Sequence, residues 1–154
     1  LFYQNKATME NRVDINLREP KAYKAMFGLE AYLAASQISR SHRELIKIRA
    51  SQINGCAYCI DMHTKDAIKN GESTQRIFLL NAWRETDLFT EEEKVVLAIT
   101  EEVTLIQNGG LRDETYERAM VVFDDNSIAQ IIMAVATINA WNRIAISTRM
   151  QPET

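Results

Sequence analysis

Apolar side chains recur at steps of three and four residues along most of this chain, the spacing that gathers them on one face of an α-helix. The pattern is clearest near the end. There Ile128, Ile131, Ile132, Val135, Ile138 and Trp141 or Asn142 fall on one side of a helix expected over about Ser127 to Ser147, which should be the packing spine. Upstream, Pro20 suits a first helical turn, and Tyr23, Met26, Phe27, Glu30, Ala31 and Leu33 to Ala34 trace a mostly apolar face. Ser41-His-Arg-Glu44 reads as a capping box opening a helix that runs to about Gln52, and Thr90-Glu-Glu-Glu93 opens another in the same way. Three glycine-bearing pairs or triplets supply the stops: Asn54-Gly55, Asn70-Gly71 and Asn108-Gly109-Gly110. Between them lie helices starting near Cys56, covering roughly Ser73 to Trp83, and starting at Asp113. With only 5 glycines and 2 prolines the chain has too few turn clusters for an all-β fold. The prediction is an all-α, single-domain helical bundle of about six to seven helices.

Composition narrows the functional classes. At 154 residues one compact domain with a real core is expected, and residues 9–154 are assigned to it. Leu1 to Thr8, ahead of Met9, are read as an N-terminal extension or leader and lack the pattern of a secretory signal. A net charge of −3 with 25% charged residues offers no basic stripe to neutralise a phosphate backbone, so no nucleic-acid partner is expected. Polar residues interrupt Ile128 to Ala145, so no membrane span is expected either. One possible disulfide and no export signal point to a reducing, cytoplasmic setting, where a cysteine pair is more often redox-active or metal-binding than structural.

The chain's only two cysteines stand three residues apart in Asn54-Gly-Cys-Ala-Tyr-Cys-Ile-Asp-Met-His63. On a helix Cys56, Cys59 and His63 lie within an arc of roughly 60°, so the three side chains can act together. A helix start favours a thiolate, because unpaired backbone N–H groups and the positive end of the dipole are there, and a neighbouring imidazole can relay the proton. Taken singly, each residue fits a buried core position; the combination favours redox chemistry. A structural zinc site would need His42, Glu44 or Asp66 to complete its ligands, since no second CxxC exists. Glu44 reads either as the capping partner of Ser41 or, if its helix folds back on the cysteine helix as a hairpin, as a carboxylate that orients or deprotonates His63. His42 is read as a solvated first-turn residue, and Trp83 and Trp141 as packing anchors.

The run "ELIKIRASQINGCAYCIDMHTKDAIKNG" resembles the carboxymuconolactone decarboxylase and alkylhydroperoxidase superfamily in its cysteine-bearing branch, whose pattern Glu-x11-Cys-x2-Cys-x3-His is matched by Glu44, Cys56, Cys59 and His63. "AYKAMFGLEAYL", "LFTEEEKVVLAITEEVT" and "INAWNRIAIS" also look like family segments in their usual order. The resemblance implies an alkylhydroperoxidase D-like helical domain, assembled as a homo-oligomer, usually a trimer or hexamer. It implies a thiol-dependent peroxidase in which Cys59 attacks a hydroperoxide, His63 and Glu44 relay the proton, and Cys56 condenses with the sulfenic acid. An external thiol or dithiol, small or carried on a donor protein, would then restore the dithiol, with no metal or bound organic cofactor. Two other readings stay open: a general disulfide oxidoreductase or carboxymuconolactone decarboxylase-like enzyme, and a non-enzymatic metal-binding or oligomeric module. Where the peroxidase pattern commonly has a second histidine before the second cysteine, this chain has Tyr58, whose helical phase points it away from the cysteine stripe.

Overall fold

Periodic apolar positions become helices throughout. The computed structural model describes residues 12–153, in the order α1 (Ile15–Arg18), α2 (Pro20–Ala34), α3 (Arg40–Asn54), α4 (Ala57–Lys69), α5 (Thr74–Phe78), α6 (Glu91–Thr104), α7 (Asp113–Val122) and α8 (Asp125–Thr148). Two of these are short, and among the described residues there is no strand. The fold is therefore all-α, as expected, while the extension assigned to residues 1–8 lies outside the described residues. None of the helices described is long and apolar enough to cross a membrane.

The spine is α8, extended two residues at its start because Asp124 caps it through Ser127 N–H at 2.8 Å. Its predicted face is buried: Ile128, Ile131, Val135 and Ile138 pack with Ile46 and Ala50 of α3 and Val95, Val96 and Ile99 of α6. A second cluster on the far side of α3 joins Leu45 and Ile48 to Leu97, Leu80, Trp83 and Phe89. Sandwiched between the two clusters, α3 presents apolar residues on both sides and buries five positions. The capping box at Thr90 and Glu93 is formed as predicted.

Three local expectations are corrected. Ser39, not Ser41, caps α3, accepting from His42 N–H at 3.1 Å, so Glu44 lies inside the first turns and is not the partner of a capping box. The helix expected over Ser73 to Trp83 is broken after Phe78 into a 3-10 segment, Leu80–Glu85, kinked at Ala82. The apolar face read on α2 buries only Leu33, and Phe27 remains 54% exposed. The reason is packing: α2 lies against α1 and α8 alone in any extent, at the margin of the bundle rather than inside it.

A chain of amides, with Asn142 buried at its centre, ties the turn between α3 and α4 to α8. Gly55 takes the left-handed conformation (φ 68°) that ends α3. Just before it, Asn54 Nδ2 donates to Asn142 Oδ1 (2.9 Å) and Asn139 Oδ1 (3.0 Å), while the Asn142 amide donates to Ser51 Oγ at 2.9 Å. Asn142 and Ser51 are fully buried, and truncating one member would strand its partners in a site closed to water. Asn142→Ala should therefore lower the free energy of unfolding by about 2 to 4 kcal/mol, whereas Val121→Ala, on an 84% exposed side chain, should change it by less than about 0.5 kcal/mol. Urea denaturation of the two variants, compared at their midpoints, checks the contrast.

Candidate active site

Cys56 is the N-cap of α4 and Cys59 sits in its first turn. The turn at Gly55 delivers them there: the Cys56 N–H donates to Ser51 O at 3.0 Å, closing α3 as α4 begins. The two cysteines are joined as a disulfide, with Cα atoms 5.4 Å apart, and both sulfur-bearing side chains are buried, 1% and 2% exposed. They pack with Ala145 of α8 and are flanked by Tyr58 and Met150.

Only Cys59 of the pair borders a cavity of about 300 Å³. Its outer wall is aromatic: Tyr23 and Phe27 of α2 and Trp141 of α8 meet edge to face, with ring centroids 5.3 to 5.4 Å apart. His63, one turn after Cys59, faces the same space, as do Met62, Met150 and Tyr58. Tyr58 thus corrects its expected direction. As α4 begins directly from the tight turn, its second residue leans over the disulfide toward α8 rather than away from the cysteines. Trp141, read as a packing anchor, also has a place in the wall, and its indole N–H donates to Glu30 Oε1 at 3.1 Å.

A second, polar cavity of about 270 Å³ lies on the other side of His63 and is bordered by Glu44, Arg40, Arg43, Asp66 and Asn70. Glu44 accepts from Asn70 Nδ2 at 2.7 Å and pairs with Arg40 at 3.4 Å. Among the described residues no hydrogen bond joins Glu44 to His63; the two share this cavity without touching. Of the four motif residues, the structure joins Cys56 to Cys59, turns Cys59 and His63 onto one cavity, and sets Glu44 across from His63 on α3. His42 is not solvated as expected. It is half-buried edge-on to Phe123, and burial holds its pKa below the ordinary value against the pull of Glu93 and Glu92. Among the described residues no three of His, Cys, Asp and Glu are grouped to hold a metal ion.

Two residues outside the motif complete the site. Lys47, one turn after Glu44, borders both cavities, and its ammonium donates to Glu30 Oε2 at 2.6 Å. The sequence carried a signal for Lys47, since a residue three past Glu44 shares its helix face. Glu30 carried only a negative one, a carboxylate set in the apolar stripe of α2.

The profile of the carboxymuconolactone decarboxylase family matches residues 20–102. The uncharacterized protein YdfG of Bacillus subtilis is 45% identical over 139 residues, 90% of this chain and 95% of that protein. Among solved structures, a protein of unknown function from Agrobacterium tumefaciens, provisionally named an antioxidant defence protein AhpD, superposes with a TM-score of 0.90 at 39% identity, covering 94% of this chain and 99% of that one. An uncharacterized peroxidase-related protein from Silicibacter is similar at 26% identity and a TM-score of 0.75, over 90% of this chain and 72% of that chain.

Enclosure by the surrounding helices, and secondarily the positive charge of Lys47, push the pKa of His63 down to about 4 from an ordinary value near 6.5. The unfolded chain consequently binds a proton at this residue that the folded chain refuses between those two values, and the stability contributed by His63 is complete above about pH 6.5 and lost as pH falls through about 4. An NMR titration of the two histidines, assigned with His42→Gln, should show His63 remaining neutral down to about pH 4.

Proposed function

Because this chain belongs to the carboxymuconolactone decarboxylase family and presents one cysteine of a disulfide pair, with a neutral imidazole, to a mostly apolar cavity, we propose that it is a thiol-dependent hydroperoxidase of the alkylhydroperoxidase type. The observation that carries the reading is the facing of Cys59 and His63 onto one cavity from which Cys56 is withdrawn. In the reduced protein, Cys59 gives its proton to His63 and its thiolate attacks the terminal oxygen of the hydroperoxide. The O–O bond breaks, Cys59 becomes a sulfenic acid, and the alkoxide leaves as alcohol with the proton that His63 held. Cys56 then displaces water from the sulfenic acid, forming the disulfide, and two electrons from an external thiol or dithiol restore the pair.

Each residue has a separate duty in this cycle. The first turn of α4 surrounds Cys59 with backbone N–H groups that favour its thiolate. His63, uncharged near neutral pH, is free to accept a proton. Glu44, across the polar cavity from His63, is the far member of the relay, through which His63 exchanges protons with solvent between turnovers. Burial of both sulfurs weighs against general exchange with protein disulfides, which needs an exposed sulfur for in-line attack, and favours a small oxidant entering the cavity. The names of the Agrobacterium and Silicibacter proteins, antioxidant defence and peroxidase-related, agree with this reading. The reducing cytoplasm suits the cycle, and the exposed apolar side chains Leu17, Phe27 and Val121 support assembly into a homo-oligomer.

Reduced protein given one equivalent of an alkyl hydroperoxide should yield the Cys56–Cys59 disulfide by mass spectrometry. Cys59→Ser should abolish the reaction, Cys56→Ser should leave a sulfenic acid on Cys59 that dimedone traps, and His63→Gln should slow oxidation by about 100-fold or more. Thiols that survive the treatment intact would end the proposal.

A further inference from the structure

The four-residue motif contains no fixed cation, and a positive charge held near Cys59 would add to what the helix start gives its thiolate. The ionisable side chains that face Cys59 across its cavity are Tyr23 and Glu30 from α2, Lys47 from α3, and Tyr58 and His63 from its own helix. From α8 come Trp141 and Ala145, which do not ionise. Burial raises the pKa of Tyr23, so it is a neutral phenol. Lys47 is the lysine of the set, and it is not left mobile. Its ammonium is held at 2.6 Å by Glu30, whose other oxygen is held at 3.1 Å by the Trp141 indole, so three helices fix one charge at the boundary between the cavities. A lysine clamped in this way has already lost the side-chain freedom that an exposed one would surrender on each encounter.

We propose that Lys47 is a positioning residue that supplies the positive charge against which Cys59 ionises, with Glu30 setting both its place and its strength. The inference rests on the reading of Cys59 as the attacking thiol and adds two residues to it. The charge divides the labour of the site: Lys47 stabilises the thiolate and never moves a proton, while His63 receives the proton from Cys59 and is kept uncharged until then. That Lys47 already opposes the charging of His63, one turn from Cys59, supports the direction of its field. Glu30, in contact with the ammonium at 2.6 Å, offsets part of that field and in this way sets its strength.

The test uses alkylation, which needs no peroxide. In a Cys56→Ser background, where Cys59 is the one thiol, the pH dependence of the iodoacetamide rate reports its thiolate. Lys47→Met should raise the midpoint by about one unit and slow alkylation at neutral pH by up to about tenfold. Lys47→Arg, which keeps the charge, should restore the parental profile. Glu30→Gln, whose amide oxygen still accepts from Trp141 while its negative charge is gone, should move the midpoint down. A parental profile in Lys47→Met, or an unchanged or raised midpoint in Glu30→Gln, overturns the proposal; if Lys47→Met loses its helical circular dichroism, the Glu30→Gln result decides alone. Failure here leaves the peroxidase reading intact. Conversely, shifted midpoints in a protein that ignores hydroperoxides would end that reading and leave the source of the thiolate's stabilisation as assigned.

Discussion

The site depends first on a linked set of amide and hydroxyl side chains, Ser51 and Asn142 fully buried and Asn54 half-buried at their edge. The cysteine helix α4 buries only Cys59 and Ala67 within the bundle, too little apolar surface to define its position by packing alone. Its placement comes from the turn before it. Ser51, Asn54 and Asn142 each have partners that only one register of α3 against α8 can satisfy, and an unpartnered carboxamide in that place would cost more than the bond contributes when made. Among the described residues no buried side-chain nitrogen or oxygen lacks a partner. Directional groups thus do for α4 what apolar contact does for α6 and α8.

Two groups of charged residues stand on different flanks of the bundle. On one flank, Glu101 accepts from Arg49 and the Trp83 indole, each at 2.9 Å, and from Arg84; Arg76 bridges Glu93 and Glu72. Burial works against the ionised forms of Glu101 and Glu93, and the hydrogen bonds overcome it, holding both carboxyls below the usual range. These ties lock the segment after α5 onto α6 and lie away from the cysteine cavity. On the other flank, Glu30 and Lys47 stand in the wall of the cavity, where an apolar medium lengthens the reach of a charge. The first group holds structure together; the second lines the cavity that Cys59 borders.

Much of this was legible in the chain. The spine, the capping box at Thr90 and the stops at Gly55 and Asn70 follow from local chemistry, whereas α6 ends at Thr104 and a 3-10 turn, Ile106–Asn108, fills the gap to the stop expected at Gly109. The cysteine helix began where Asn54-Gly55 said it would. Errors arose where tertiary contact decided the outcome. Ser39 and Ser41 are equally good caps in isolation, and the path of the chain selected Ser39. Tyr58 was misdirected because a helical wheel says nothing of where neighbouring helices stand. Glu30 was invisible as a site residue since its partners, Lys47 and Trp141, are 17 and 111 positions away.

The end of α8 has a practical bearing. Arg149 adopts the left-handed conformation without being glycine, and this reversal swings Met150 back, its N–H on Ala145 O at 3.0 Å, to form part of the cavity floor. Arg12 fastens to the same place through Thr148 and Ser147. Both described extremities therefore converge beside the cavity that Cys59 borders, so a substitution that straightened the reversal at Arg149 would open the chamber floor from outside the motif.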